Sequence, residues 1–230
     1  MKTSLKITFF TALIGLIVFF LLISDSESQQ ENSDVKHKTD VEQIEEIEAT
    51  EMHLPLRNSE KRSKPITHVV LHFTSNVTGN PLDPYQLDDI YQIFVDYGVS
   101  AHYIIDREGE IFELVKPNRI AYHAGTGSLA QFPEYENQLN AYSIGIELLA
   151  IGTKEEMAEF LDEDSYHSLD PSHIGYTDAQ YASLGELLEY LYKVYPEIKK
   201  NREHVIGHDE YAPERKSDPG TLFDWTKISY

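Results

Sequence analysis

Cysteine is absent from this 230-residue chain. Its absence excludes disulfides, a lipid-modified cysteine and any thiolate metal site. A metal ion here would have only nitrogen and oxygen donors. Basic residues are scarce, 19 Lys and Arg against 39 Asp and Glu, for a net charge of -20. Residues 65–230 alone carry 11 basic and 28 acidic side chains, a net charge of -17. Phosphate contacts need Lys and Arg, so no nucleic-acid partner is expected. The acidity is spread along the chain and reads as solubility. No internal repeat is visible. What is present suffices for a core: 41% of residues are apolar, and 15 tyrosines argue against a disordered chain.

The N-terminus reads as a targeting segment. Lys2 and Lys6 precede an apolar stretch from Ile7 to Ile23, broken only by Thr11 and Gly15. Ser24 and Ser26 offer small residues for cleavage, but no Ala-x-Ala follows. Residues 1–23 are therefore read as either a signal peptide or an N-terminal membrane anchor. Residues 24–64 are polar and lack aromatics, and read as a flexible stalk, with a short helix possible between Asp40 and Met52. Residues 65–230 form the expected folded domain. It is expected to lie outside the cytoplasm, membrane-anchored or secreted, and to be a monomer.

Within the domain, Ile66–His72 is a β-branched, apolar run that reads as a buried strand. Asp83-Pro84-Tyr85-Gln86 reads as a helix start with Asp83 as cap, and Leu87, Ile90, Tyr91 and Phe94 follow at helical spacing up to Gly98. Ala101–Ile105 and Glu110–Val115 read as a hairpin turning at Arg107-Glu108-Gly109. Ser143–Leu149 is another strand. Thr177-Asp178-Ala179-Gln180 is a capping box for a helix whose face carries Tyr181, Leu184, Leu188, Leu191 and Tyr195. His204–Ile206 is a last short strand. This order gives an α/β fold, a central mixed β-sheet flanked by helices. The acidic stretch from Gly152 to Gly175 interrupts the pattern and reads as a solvated insertion, with His167 and His173 outside any metal set.

Three side chains of metal-ligating type fall where such a fold can bring them together. His72 ends the first strand, His208 follows the last strand through Gly207, and Asp218 lies on the next loop. Two imidazoles and one carboxylate form a catalytic zinc set when one coordination position is left open. Glu147 is an acidic residue inside an apolar strand and is the candidate general base. Lys216 lies two residues before Asp218, and in an extended loop both side chains would face the same way. His68 shares a strand face with His72, but four residues of strand separate them by roughly 13 Å, too far for one ion.

Five segments in order give a resemblance: His68–Thr74, Val99–Gly109, Ala121–Gly125, Asn140–Glu147, and Gly207-His208 through Asp218-Pro219-Gly220. Together they resemble the type 2 N-acetylmuramoyl-L-alanine amidases, zinc enzymes related to the peptidoglycan-recognition proteins. The resemblance covers about residues 65–228. It implies Zn2+ held by His72, His208 and Asp218, catalysis by Glu147 with Lys216 stabilising the oxyanion, a substrate contact from His123, and Asn140 either ordering the entrance to the catalytic strand or touching substrate. It implies cleavage of the bond between N-acetylmuramic acid and L-alanine, with peptidoglycan or muropeptide as partner. Some relatives carry a Tyr before the residue matching His102; here it is Ala101, which favours the Glu147 mechanism. His102 itself has a structural expectation. A non-catalytic peptidoglycan-binding receptor on the same fold, or a zinc hydrolase of another amide, remains an alternative.

Overall fold

The computed structural model describes residues 46–229. The apolar run Ile7–Ile23 and the stalk up to residue 45 lie outside the described residues. The described residues form eight strands: β1 Thr50–Glu51, β2 Ser59–Lys61, β3 His68–Thr74, β4 Tyr103–Ile105, β5 Ile111–Glu113, β6 Arg119–Ala121, β7 Ser143–Leu149 and β8 Val205–Gly207. The helices are α1 Leu87–Tyr97, α2 Glu163–His167, α3 Asp178–Val194 and α4 His208–Tyr211. Six strands form one sheet in the order β1-β5-β4-β7-β3-β8, and β2 pairs with β6 in a separate ribbon. β4, β7, β3 and β8 are mutually parallel, while β5 runs antiparallel to β4. The expected mixed sheet flanked by helices is present. Among the described residues no helix is long and apolar enough to cross a membrane.

Strand periodicity sorts the sheet into two faces. Val69 and Leu71 of β3, with Ile144, Ile146 and Leu148 of β7, pack against Tyr181, Leu184, Leu187, Leu188 and Leu191 of α3. Each fully buried side chain of this size stabilises by about 1.5–3 kcal/mol before entropic costs. Truncating Leu184, fully buried at the centre, would cost about 2–5 kcal/mol. The Thr177 hydroxyl accepts from Gln180 N while Gln180 bonds back to Thr177 N, the reciprocal cap read from the sequence. On the opposite face α1 places Ile90 and Phe94 against Ile104, Phe112 and Leu149. Its C-terminus stops at Gly98, with φ +68°. By the same alternation His72, Gly145 and Glu147 leave the sheet on the face away from α3.

Four expectations require correction. The domain begins before residue 65, because residues 46–64 are part of the fold. β1 extends the sheet beside β5, and β2 pairs with β6. Asn58 is buried, and its amide donates to Phe94 O and Val99 O at 2.8 and 3.0 Å. The Arg62 guanidinium donates to the carbonyls of Pro117, Arg119, Ala141 and Ser143. These contacts satisfy polar groups and backbone, so they leave no apolar pattern to read. Second, residues 46–49 are not helical, and Ile47 packs on the α3 cluster. Third, α1 starts at Leu87 with Gln86 as its cap residue, not at Asp83. Pro84 O is taken by Asn76 N at 2.8 Å, which commits that carbonyl to the loop. Fourth, residues 152–175 are packed: Met157 and Leu169 are buried with Val77 and Ile151. The hairpin strands and the last strand form as expected, with shorter or shifted ends.

Candidate active site

The site lies at the C-terminal ends of the parallel strands β3, β7 and β8, on the face away from α3. Ligand sites in open parallel sheets favour this end, where strand-to-loop turns present side chains from a rigid base. His72 ends the buried part of β3. His208 begins α4 directly after β8. Asp218 lies on the loop that returns past them. His72 Nδ1 and His208 Nδ1 lie 2.7 and 3.0 Å from the same atom, Asp218 Oδ2. Both histidines are buried, and the three residues form a group able to hold a metal ion.

The proton inventory of this group follows from its neighbours. Ser143 Oγ donates to Leu139 O at 2.7 Å. Its proton is thus committed, and it must accept from His123 Nε2 at 3.1 Å. Burial first, then the neighbouring imidazoles, holds the pKa of His123 well below its ordinary value. Neutral His123 therefore accepts at Nδ1 from His72 Nε2, 3.0 Å away. Burial also lowers the pKa of His72 to about 4, leaving its Nδ1 without a proton. His208 Nε2 donates to Ala124 O at 2.9 Å, so a neutral His208 is likewise bare at Nδ1. With Nε2 of both rings turned to other partners, the two Nδ1 atoms and the carboxylate oxygen lie this close only with a proton or a metal cation among them. Each imidazole has its outer N–H bonded, the arrangement that orients histidine ligands towards a metal. The donor set thus fits a divalent metal.

Glu147 stands opposite His72 in the β3–β7 register. Its Oε2 is buried without a hydrogen-bond partner. Burial is the main reason its pKa is pushed up to about 8; the Asp218 carboxylate adds to this and the Lys216 ammonium opposes it. Lys216 is exposed, and its charge acts on Glu147 and His72 from the loop.

His123 and Asn140, the residues expected at the substrate, are both hydrogen-bonded within the protein. Both ring nitrogens of His123 are engaged within the protein, as above. Asn140 Oδ1 accepts from His123 N and Ala124 N at 3.1 and 2.8 Å. These two residues shape the wall behind His72 and His208. Gly145 makes room for them: a Cβ there would lie 2.5 Å from the His123 ring. His102 is structural, as expected. It is fully buried, and its Nδ1 accepts from Gly145 N at 3.0 Å. His68 stacks on His204 at 4.8 Å, remote from the metal group. Ser143 was not singled out by the sequence reading; a hydroxyl opening an apolar strand was its only signal. A second group, Glu51, His53 and Glu113, is largely exposed, and Lys116 pairs with Glu51 at 3.6 Å, which disfavours a cation there.

A β-sheet of this topology with a His–His–Asp group beside a buried glutamate defines a class, and comparison with known proteins agrees. The family model for N-acetylmuramoyl-L-alanine amidases matches residues 62–221, and the chain belongs to that family. Among curated relatives, the 1,6-anhydro-N-acetylmuramyl-L-alanine amidase AmpD of Haemophilus influenzae is 37% identical over 139 residues, 60% of this chain and 59% of the relative. The match thus spans less than two thirds of that relative's length. A crystal structure of an AmpD derivative superposes with a TM-score of 0.57 at 28% identity, covering 80% of this chain and 94% of the other. The Escherichia coli amidase AmiD, in complex with anhydro-N-acetylmuramic acid-L-Ala-D-gamma-Glu-L-Lys, superposes with a TM-score of 0.53 at 27% identity, covering 72% and 57%.

Proposed function

We propose that this protein is a zinc-dependent amidase that cleaves the bond between the lactyl group of N-acetylmuramic acid and L-alanine in peptidoglycan or its muropeptides. The observation that carries the reading is the convergence of His72, His208 and Asp218 beside the unpartnered Oε2 of Glu147. Bound by that trio, zinc would polarise the scissile carbonyl and acidify a water molecule. Glu147 receives the water's proton at Oε2 and delivers it to the departing L-alanine nitrogen. A carboxyl whose pKa is raised by burial is suited to both halves of that transfer. Lys216 offers its ammonium to the oxygen on which negative charge builds. The His123–Ser143 relay keeps the His72 ring oriented with Nδ1 forward.

The names of the relatives support substrates with 1,6-anhydro ends among those accepted. Zinc-loaded protein should convert both anhydromuropeptides and purified peptidoglycan to free stem peptides, read by mass spectrometry. Intact substrate after prolonged incubation with metal-replete protein would sink the reading. The domain is proposed to act outside the cytoplasmic membrane, on the strength of Lys2, Lys6 and the apolar run Ile7–Ile23. A reporter active only outside the cytoplasm, fused after residue 45, should be active. N-terminal sequencing of the native protein distinguishes a cleaved signal from a retained anchor.

A further inference from the structure

His72 and His208 are set by strand ends, but Asp218 is not. It lies on an irregular loop, so its carboxylate position depends on what holds residues 218–221. Three contacts hold them. Asp209 N donates to Asp218 O at 2.8 Å, tying the loop to the start of α4. The Tyr176 hydroxyl donates to Pro219 O at 2.6 Å. Glu156 Oε1 accepts from both the backbone N and the hydroxyl of Thr221, at 2.7 and 3.0 Å. The second oxygen of Glu156 accepts from Thr153 N at 2.7 Å, which fixes the carboxylate within its own turn.

Glu156 and Tyr176 come from the start and the far side of the acidic excursion that the sequence reads as solvated. That excursion is packed, through Met157 and Leu169, against Val77 and Ile151. Tyr176 is anchored in turn by edge-on packing of its ring with Phe223, 5.1 Å between centroids. The seat for the Glu156 carboxylate is cut by two glycines from separate segments. A Cβ at Gly220 would lie 2.7 Å from Glu156 Oε1, and one at Gly152 would lie 2.6 Å from Oε2. Gly220 also has φ +77°, a conformation that L side chains rarely adopt.

We propose that Glu156, assisted by Tyr176, is a positioning residue for the metal ligand Asp218, and that residues 152–176 form a brace which pre-orders the ligand loop. The inference rests on the metal reading of His72, His208 and Asp218. Its physical basis is ordering entropy: a loop already held in the binding geometry loses less freedom when the ion binds. Groups that hold a ligand from behind contribute about 10–100-fold to metal affinity. Glu156 touches neither the metal ligands nor the substrate side of Glu147, so its effect must pass through the loop.

The test is zinc affinity of the full chain, measured by competition with a chromophoric chelator, together with the visible spectrum of the Co2+-substituted protein. Glu156→Ala should weaken zinc binding on the order of 10-fold or more and alter the Co2+ spectrum, which reports ligand geometry. Glu156→Gln should bind zinc with intermediate affinity, because its amide oxygen still accepts from Thr221. Tyr176→Phe, which keeps the ring packing, should weaken binding in the same direction. Glu159→Ala, on the exposed side of the same excursion, should match the parent in both readouts. A purely structural role would lower the melting temperature of the metal-free protein while leaving the spectrum of the folded fraction unchanged, and that pattern would overturn the proposal. Parental zinc affinity in both folded Glu156→Gln and Tyr176→Phe would overturn it even if Glu156→Ala fails to fold. Failure of the parent protein to bind zinc would instead overturn the metal reading, and the brace with it.

Discussion

His72 and Glu147 are register partners on adjacent parallel strands, and their side chains leave the sheet on the same face. The inter-strand spacing of about 4.8 Å therefore sets the distance between the proposed metal-ligating imidazole and the proposed proton-handling carboxyl. No loop conformation intervenes between them. The site's most demanding geometry is thus carried by its stiffest element, while Asp218 and Lys216 are supplied from a loop.

Metal retention should depend on both histidines. His72→Ala or His208→Ala should strip zinc and amidase activity together, since two remaining ligands hold a divalent ion poorly. Elemental analysis of the purified variants checks this. Full zinc occupancy in both would remove the ligand assignment.

Glu147→Gln separates proton transfer from metal binding. Zinc content should stay at the parental level while turnover falls on the order of 100-fold or more. Near-parental turnover would assign the base to another group.

The same substitution makes a pH prediction for the metal-free protein. The Glu147 carboxyl rises from 4.5 to about 8 in the folded state, mainly through burial. A raised pKa means the folded state prefers the protonated form. Its contribution is fully present below pH 4.5 and is lost as pH rises through about 8. The shift corresponds to roughly 5 kcal/mol at most. In chelator, Glu147→Gln should therefore melt close to the parent near pH 4 and well above it at pH 9. Parallel melting curves for the two proteins across that range would contradict the buried-carboxyl account.

Lys216→Met should lower turnover without releasing zinc, because Lys216 is exposed and is not among the grouped ligands. Loss of metal from this variant would mean that it acts by holding the loop instead.

A protein starting at residue 65 should be less stable than one starting at residue 46. It lacks β1, β2, the buried amide of Asn58 and the four carbonyl bonds of Arg62. Within the longer protein, Arg62→Ala removes a donor from each of those carbonyls and should cost on the order of 3 kcal/mol. Thermal or urea unfolding measures both; equal stability of the two lengths would show that the N-terminal strands contribute nothing.

How much could be read in advance depended on the kind of interaction. The strand Ile66–His72, the helix after Thr177 and the carboxylate in SIGIE were legible because burial leaves period-2 and period-3.6 patterns, and because an acid among apolar residues is conspicuous. The mixed sheet and the members of the metal trio followed from those elements and from the resemblance of five ordered segments. The roles of Asn58, Arg62, Ser143 and Glu156 were not legible. Each works by filling the hydrogen-bond capacity of a backbone or a ring brought near by folding, and a polar residue so engaged has the same sequence signature as one facing water. Local sequence determined which segments are strands and helices, and which face of each is apolar. Only the tertiary structure decided that Asp218 Oδ2 meets the Nδ1 atoms of two imidazoles, that residues 46–64 belong to the domain, and that the acidic excursion is packed, because those outcomes depend on contacts between segments distant in sequence, 10 and 146 positions for the two imidazoles.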